Sequence, residues 1–170
     1  MKTDFTIRQA QQSDAVELKE LFQNTVLVIN RRDYSQAEVE DWASCGNNLS
    51  NIKERIETHY FVVAVNQQSQ IVGFSSITPQ GYLHSMFVHK DFQGEGIATM
   101  LLEEIERYAI TAGITRITSE VSLTARPFFE KKGYVVEKEQ KRKANQLSLT
   151  NFLMAKEVAF LEYYNKKVTD

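Results

Sequence analysis

The stretch Leu83-His84-Ser85-Met86-Phe87-Val88-His89-Lys90-Asp91-Phe92-Gln93-Gly94-Glu95-Gly96-Ile97-Ala98-Thr99-Met100-Leu101-Leu102-Glu103-Glu104-Ile105 decides the fold. An apolar strand ends at Val88, and a polar turn with two glycines one residue apart follows it. A helix comes next: Ile97, Leu101, Leu102, Ile105, Ala109 and Ile110 recur on a helical period, and Gly113 stops it. Glycines at a strand-to-helix turn let backbone N–H groups approach an anion, and the helix N-terminus adds partial positive charge. A phosphate cradle is therefore expected, with an ordinary glycine-bearing loop as the alternative.

Upstream, Tyr60 to Val65 and Ile71 to Ile77 read as strands joined by a hairpin at Asn66-Gln67-Gln68-Ser69. Pro79-Gln80-Gly81 then turns the chain into a strand from Tyr82 to Val88. Further back, Asp4 to Ala10 alternates as a strand, and Ser13 caps a helix with Leu18, Leu21, Phe22, Thr25 and Ile29 on one face. Ser35-Gln36-Ala37-Glu38 is a capping box for a second helix, which Gly46-Asn47-Asn48 ends. Leu49 to Thr58 forms a third, with Ile52 and Ile56 inward.

Downstream, Ile114 to Val121 is a strand, Thr124-Ala125-Arg126-Pro127 opens a helix that Gly133 ends, and Tyr134 to Glu139 is a strand. Lys141-Arg142-Lys143-Ala144-Asn145 reads as a solvated turn rather than a polyanion site. Leu149 to Val158 is the last strand. The tail, 159–170, fits a short helix or a frayed end equally well. The order β–α–α–β–β–β–α–β–α–β–β makes one α/β domain over 1–158 with a mixed sheet.

With 170 residues, 42% of them hydrophobic, the chain can bury a sizeable core as a single domain. Its net charge of −2 argues against a nucleic-acid surface. The longest apolar run, Tyr60 to Val65, cannot span a bilayer, and the N-terminus lacks a secretory h-region, so a cytoplasmic location is expected. Cys45 is the sole cysteine, which excludes an internal disulfide and fits a reducing compartment. With no histidine near it in sequence, it reads as a packing or surface thiol.

With the elements placed, the chain resembles the GCN5-related N-acetyltransferase (GNAT) superfamily. The residues that carry the likeness are Gln93-Gly94-Glu95-Gly96-Ile97-Ala98 between strand and helix, and the looser Ala125-Arg126-Pro127-Phe128-Phe129-Glu130-Lys131-Lys132-Gly133-Tyr134. The order of elements matches from about Asp4 to Val158. Asp33-Tyr34-Ser35 with Glu38 and Trp42 resembles a small bacterial-type subgroup of undefined acceptor. The resemblance implies a mixed, mostly antiparallel sheet splayed at its centre and flanked by helices.

A competing motif lies in the same turn. Gly94-Glu95-Gly96-Ile97-Ala98-Thr99 approaches a dinucleotide fingerprint, with Glu120 placed for a ribose contact. The third glycine is missing, however, and an antiparallel meander precedes the motif where a Rossmann unit would repeat βαβ.

The resemblance implies acetyl-CoA as co-substrate, with no metal. Its pyrophosphate would be held by backbone N–H groups of Gln93, Gly94, Glu95, Gly96, Ile97, Ala98 and Thr99. Its pantetheine arm would pair with Met86, Phe87 and Val88, whose N–H groups the family leaves unpaired at a bulge. The second signature adds Ala125, Phe128 and Phe129 to the cofactor side. Phe129 stands where the family usually carries a tyrosine credited with protonating the leaving thiolate. A thiol of pKa near ~8.5 leaves tolerably without an acid, so the loss questions that role rather than the reaction. A catalytically inactive acetyl-CoA-binding module is the alternative it opens.

The acceptor amine must also lose a proton. With a pKa of ~10.4 it is neutral in about one molecule in ~2,500 at pH 7, a deficit of ~4.6 kcal/mol. Tyr82 and His84 lie two apart on the strand and share a face. His84, with an ordinary pKa near neutrality, is the candidate base, and Tyr82 a pocket wall or water anchor. The alternative for His84 is a half-buried imidazole bonded to a backbone carbonyl. His89 faces the other side and His59 lies on a turn, so neither offers metal-ligand spacing. By resemblance the acceptor, a small-molecule or peptide amine, enters beside the first two helices, where Tyr34, Glu38, Asp41 and Trp42 are the candidates. For Trp42, core packing behind Val39 competes with that role. Homodimers are common in the family, and neither the acceptor nor the oligomeric state is readable here.

Overall fold

A computed structural model describes residues 4–159 and Val168, so the tail beyond Ala159 otherwise lies outside the described residues. The order is β1 (Thr6–Gln9), α1 (Ala15–Val28), α2 (Gln36–Ser44), α3 (Leu49–Thr58), β2 (Tyr60–Val65), β3 (Ile71–Ile77) and β4 (Leu83–Val88). Then follow α4 (Ile97–Thr111), β5 (Arg116–Ser122), α5 (Arg126–Lys131), β6 (Val135–Lys143) and β7 (Ser148–Glu157). The strands form two antiparallel sheets, β1-β2-β3-β4 and β5-β7-β6.

The apolar run of β2 is explained by burial on both faces. Val62 and Ala64, with Val72, meet the α4 stripe of Ile97, Leu101, Leu102, Ile105 and Ala109. Phe61, Val63 and Phe74 meet Leu18 and Leu21 of α1 on the opposite face. Each such buried aliphatic side chain contributes roughly 1.5–3 kcal/mol. Gly73 sets the spacing of α4 from the sheet: a Cβ there would stand 2.8 Å from Ile97 Cγ2 and 3.1 Å from Leu101 Cδ1. The start of α4 is thereby fixed against β3.

Three local expectations need correction. The first helix is not capped by Ser13: residues Gln12–Asp14 form a 3-10 turn, and Asp14 accepts from Gln11 N at 2.7 Å and from Arg8 at 2.8 Å. The basic stretch from Lys141 is not a turn, because β6 continues to Lys143 in register with β7. There Arg142 pairs with Glu120 at 3.0 Å, so a partner charge across the sheet and the ladder itself override the local polarity. Tyr82 is not part of β4; it makes a lone parallel bridge to Thr118 of β5.

Candidate active site

That bridge is the hinge of the site. Thr118 N donates to Gly81 O at 3.0 Å, and Ser119 Oγ donates to Leu83 O at 2.8 Å. Past these contacts β4 and β5 have no further bridges, and the gap between them opens into a cleft of about 740 Å³. The splayed centre expected from the sequence is this gap.

The bulge on β4 lies earlier than expected. Ser76 pairs with Ser85 and Ile77 with Leu83, so His84 is the extra residue, while Met86, Phe87 and Val88 stay in register with β3. Their exposed amides have another origin. His89 N donates to Val72 O at 2.8 Å, and the alternation of an antiparallel ladder then turns the N–H groups of Met86 and Val88 away from β3, towards the cleft. Consistently, Val88 O accepts from Thr25 Oγ1 at 2.9 Å and Gln93 Nε2 at 2.8 Å instead of from β3.

At one end the cleft meets the glycine turn. Gly94 and Gly96 have φ of +76° and +82°, and no atom lies within 4 Å of where a Cβ would stand on either. The left-handed backbone alone therefore asks for glycine, and the space above it is open. Gly96 is the N-cap of α4 and brings no side-chain cap, so the N–H groups of Ile97, Ala98 and Thr99 have no acceptor within the helix. Donors at a helix N-terminus beside an open space fit a pyrophosphate. Gln93 braces the turn through its amide on Val88 O, while Glu95 is exposed and outside the cleft lining. Ala125, Phe128 and Phe129 form the facing wall. Phe129 is buried edge-on between Phe128 and Tyr134, and Tyr134 donates to Glu106 Oε1 at 3.2 Å outside the cleft. Among the described residues no tyrosine other than Tyr34 and Tyr82 lines the cleft, and neither replaces Phe129 on this wall.

At the other end the wall is aromatic. Phe87 meets Phe22 edge-on at 5.0 Å and Trp42 at 6.1 Å, with Phe74 beside it at 5.5 Å. Trp42 thus packs in a cluster and lines the cleft as well. Tyr34 also lines it, but its hydroxyl is engaged: it donates to Thr150 O at 2.6 Å and accepts from Leu123 N at 3.0 Å. Of the two carboxylates expected at this end, neither lines the cleft. Glu38 closes the capping box by accepting from Ser35 N. Asp41 accepts the backbone N–H groups of Asn145, Gln146 and Leu147 at 2.9–3.0 Å and so holds the β6–β7 turn. Partial burial pushes its carboxyl up, but those N–H bonds outweigh this and leave it below its usual value.

The middle of the cleft is polar. Tyr82 and His84 both line it, with ring centroids 6.0 Å apart. His59, from the end of α3, stands 5.4 Å from His84, a proximity that its place on a turn did not suggest. Neither imidazole makes a hydrogen bond to a described residue, and Nδ1 of each is buried. His84 is therefore not carbonyl-bonded. Nor is it poised near neutrality: burial, then the charges of Arg55 and His59, lower its pKa to about 4. Burial also raises the Tyr82 phenol to about 12, with Glu120 adding to the shift, so it stays protonated. Arg55, Glu120 and Cys45 also line it. From sequence, Glu120 enters only as the ribose contact of the competing motif, Cys45 reads as a packing or surface thiol, and Arg55 is not singled out. The signal available for Arg55 was its place on the helix face of Ile52 and Ile56, where a lone cation is out of pattern. Among the described residues no group of His, Cys, Asp and Glu could hold a metal, and no helix is long and apolar enough to cross a membrane.

The acetyltransferase (GNAT) domain profile matches residues 30–157. The chain is 29% identical over 149 residues to the uncharacterized N-acetyltransferase YafP of Escherichia coli strain K12, covering 87% of this chain and 93% of that one. A GCN5-related N-acetyltransferase from Rhodopseudomonas palustris superposes with a TM-score of 0.86 at 27% identity, over 90% of this chain and 95% of the other. The fold is shared with a PaiA N-acetyltransferase from Thermoplasma acidophilum solved with coenzyme A, at a TM-score of 0.74, 19% identity, and 90% and 98% coverage. The chain belongs to the GNAT acetyltransferase family. The enzyme class and the acetyl-CoA donor expected from the sequence follow from that membership.

Proposed function

We propose that the chain moves an acetyl group from acetyl-CoA to a primary amine by direct attack, with both substrates side by side in the cleft. The observation that carries this is continuity: one cleft runs from the glycine turn, past the edge of β4, to the aromatic wall of Phe22, Trp42 and Phe87. When bound, acetyl-CoA supplies an electrophilic thioester carbonyl and a thiol that leaves readily. The amides of the Gly94–Thr99 turn would hold its pyrophosphate, and those of Met86 and Val88 its pantetheine arm and carbonyl. Ala125, Phe128 and Phe129 would exclude water beside them.

Proton handling follows from the state of His84. An imidazole with a pKa of about 4 is too weak a base to strip a free ammonium. The amine must therefore arrive neutral, drawn from the small unprotonated fraction in solution. As its nitrogen bonds to carbon that nitrogen becomes far more acidic, and the neutral His84 imidazole can then take the proton, with the Tyr82 hydroxyl beside it as a donor to water. Cys45 is a poor acetyl carrier, because partial desolvation of its exposed thiol and the charge of Asp41 push its pKa up, against thiolate formation.

The test is a screen of primary amines with acetyl-CoA, following free-thiol release above the hydrolysis background. Release with at least one amine is expected. The missing hydroxyl at Phe129 supports one other reading, a CoA-binding module without turnover. CoA binding by calorimetry with no release from any amine would favour that module.

A further inference from the structure

Resting on the reading of this cleft as an acceptor site, we infer that the acceptor carries an anionic group, a carboxylate or a phosphate, on an apolar body, and that Arg55 recognises it. Arg55 is half-buried and lines the cleft from α3, within electrostatic reach of Cys45, Tyr82 and His84. Arg8, Arg107, Arg116, Arg126 and Arg142 each pair with a carboxylate, and Arg31 and Arg32 are exposed. Arg55 alone is half-buried with no hydrogen bond or ion pair to a described residue.

A guanidinium drawn out of water is costly unless an anion compensates it. The groups around it do not. The Cys45 thiol is pushed up and the Tyr82 phenol raised to about 12, the imidazoles of His59 and His84 carry no negative charge in either protonation state, and Glu120, the carboxylate lining the cleft, is already paired with Arg142. Glu54 is exposed next to it in sequence. The unpartnered Nδ1 atoms of His59 and His84 are a second sign that polar ligand groups belong here. A guanidinium presents a planar fork that matches carboxylate and phosphate oxygens. The aromatic wall of Phe22, Trp42, Phe74 and Phe87 supplies the surface for the apolar part of the same molecule. An amine with a nearby acid group and an apolar body, as in an aromatic amino acid, meets all three demands.

The test uses acceptor twins that differ only in the anion: L-phenylalanine against phenethylamine, L-tryptophan against tryptamine, and O-phosphoethanolamine against ethanolamine. The twins differ in amine basicity, so the readout is the anionic-to-neutral ratio of kcat/KM, compared between wild type and Arg55→Met. Methionine keeps an apolar stem against α3, and Arg55→Lys tests partial rescue. The ratio should fall at least about tenfold in Arg55→Met and recover in part in Arg55→Lys. The amino-acid pairs and the phosphate pair tell carboxylate from phosphate. A ratio that moves by less than about twofold in every pair overturns the inference. If no amine turns over, the transfer reading fails, and Arg55 is judged by titrating the same twins onto CoA-loaded protein. Anionic twins binding at least about tenfold tighter to wild type than to Arg55→Met support the role. Equal binding, or none, overturns it.

Discussion

The two ends of the cleft are built by different means. The end at Gly94 and Gly96 works through the main chain: amides at a helix start and along a strand edge, placed by two left-handed glycines and by the approach of α4 to Gly73. The end at Trp42 works through side chains from α1, α2, α3, β3 and β4, held by tertiary contacts such as Tyr34 on Thr150 and Asp41 on the β6–β7 turn. A main-chain site tolerates side-chain change but not a change of backbone geometry or charge. A side-chain site can be retuned one residue at a time. The first suits a donor that stays constant, and the second an acceptor that varies across a family.

Substitutions should therefore separate the two ends. The largest effect is expected for Gly96→Asp, which puts a like charge where the pyrophosphate would sit, at a φ that non-glycine residues rarely adopt. CoA affinity by calorimetry should weaken by roughly 100-fold or more, about 2.7 kcal/mol. The fold should survive, since the new side chain meets open space. Normal binding would place the cradle elsewhere. At the other end, Asp41→Asn keeps only one acceptor oxygen for three N–H groups. The acceptor KM should rise on the order of three- to tenfold as the β6–β7 turn loosens, with CoA affinity unmoved. Equal effects on both substrates would erase the distinction between the ends.

Acid sensitivity probes the ground between them. His84, buried beside the rings of His59 and Tyr82 and within reach of the Arg55 charge, has a folded pKa of about 4 against an ordinary 6.5. The unfolded chain thus takes up a proton that the folded one refuses. The associated stability is complete about a unit above pH 6.5 and lost as pH falls towards 4, by roughly 1.5 kcal/mol between pH 6.5 and 5. Denaturant unfolding at the two pH values should show His84→Asn losing that much less than wild type. An unchanged difference would mean that the imidazole is solvated. The smallest effect is expected at Phe129: restoring a tyrosine there should alter turnover by less than about tenfold, because the thiolate leaves unaided. A thousandfold gain would mark the native chain as a crippled enzyme.

The same contrast explains what could be read in advance. Strand, glycine turn and amphipathic helix are local, and their spacing shows in consecutive residues, so the fold and the glycine turn at the start of α4 were legible. Trp42 was placed by the capping box at Ser35, whereas Tyr82 and His84 reach the cleft through the lone bridge of Tyr82 to Thr118 and the bulge at His84, not through the strand alternation that pointed to them. Arg55 and His59 were missed because their meeting with His84 depends on how α3 lies against β4, which no local pattern encodes. Asp41 and Glu38 were read as acceptor contacts because a carboxylate near an aromatic suggests an ammonium site. Glu38's real partner, Ser35 N–H, was already implied by the capping box, whereas the backbone N–H groups at 145–147 that hold Asp41 leave no mark in side-chain chemistry. The continuation of β6 through Lys143 was hidden by its own charges, which a partner strand and Glu120 neutralise.

The central claim is that donor and acceptor occupy the two ends together and react directly. Initial velocities measured while acetyl-CoA and the best acceptor are varied against each other test it most directly. Intersecting double-reciprocal lines are the predicted result, unchanged in pattern in Cys45→Ser. Parallel lines that become intersecting, or activity that disappears, in Cys45→Ser would contradict the account, because the acetyl group would then pass through the enzyme.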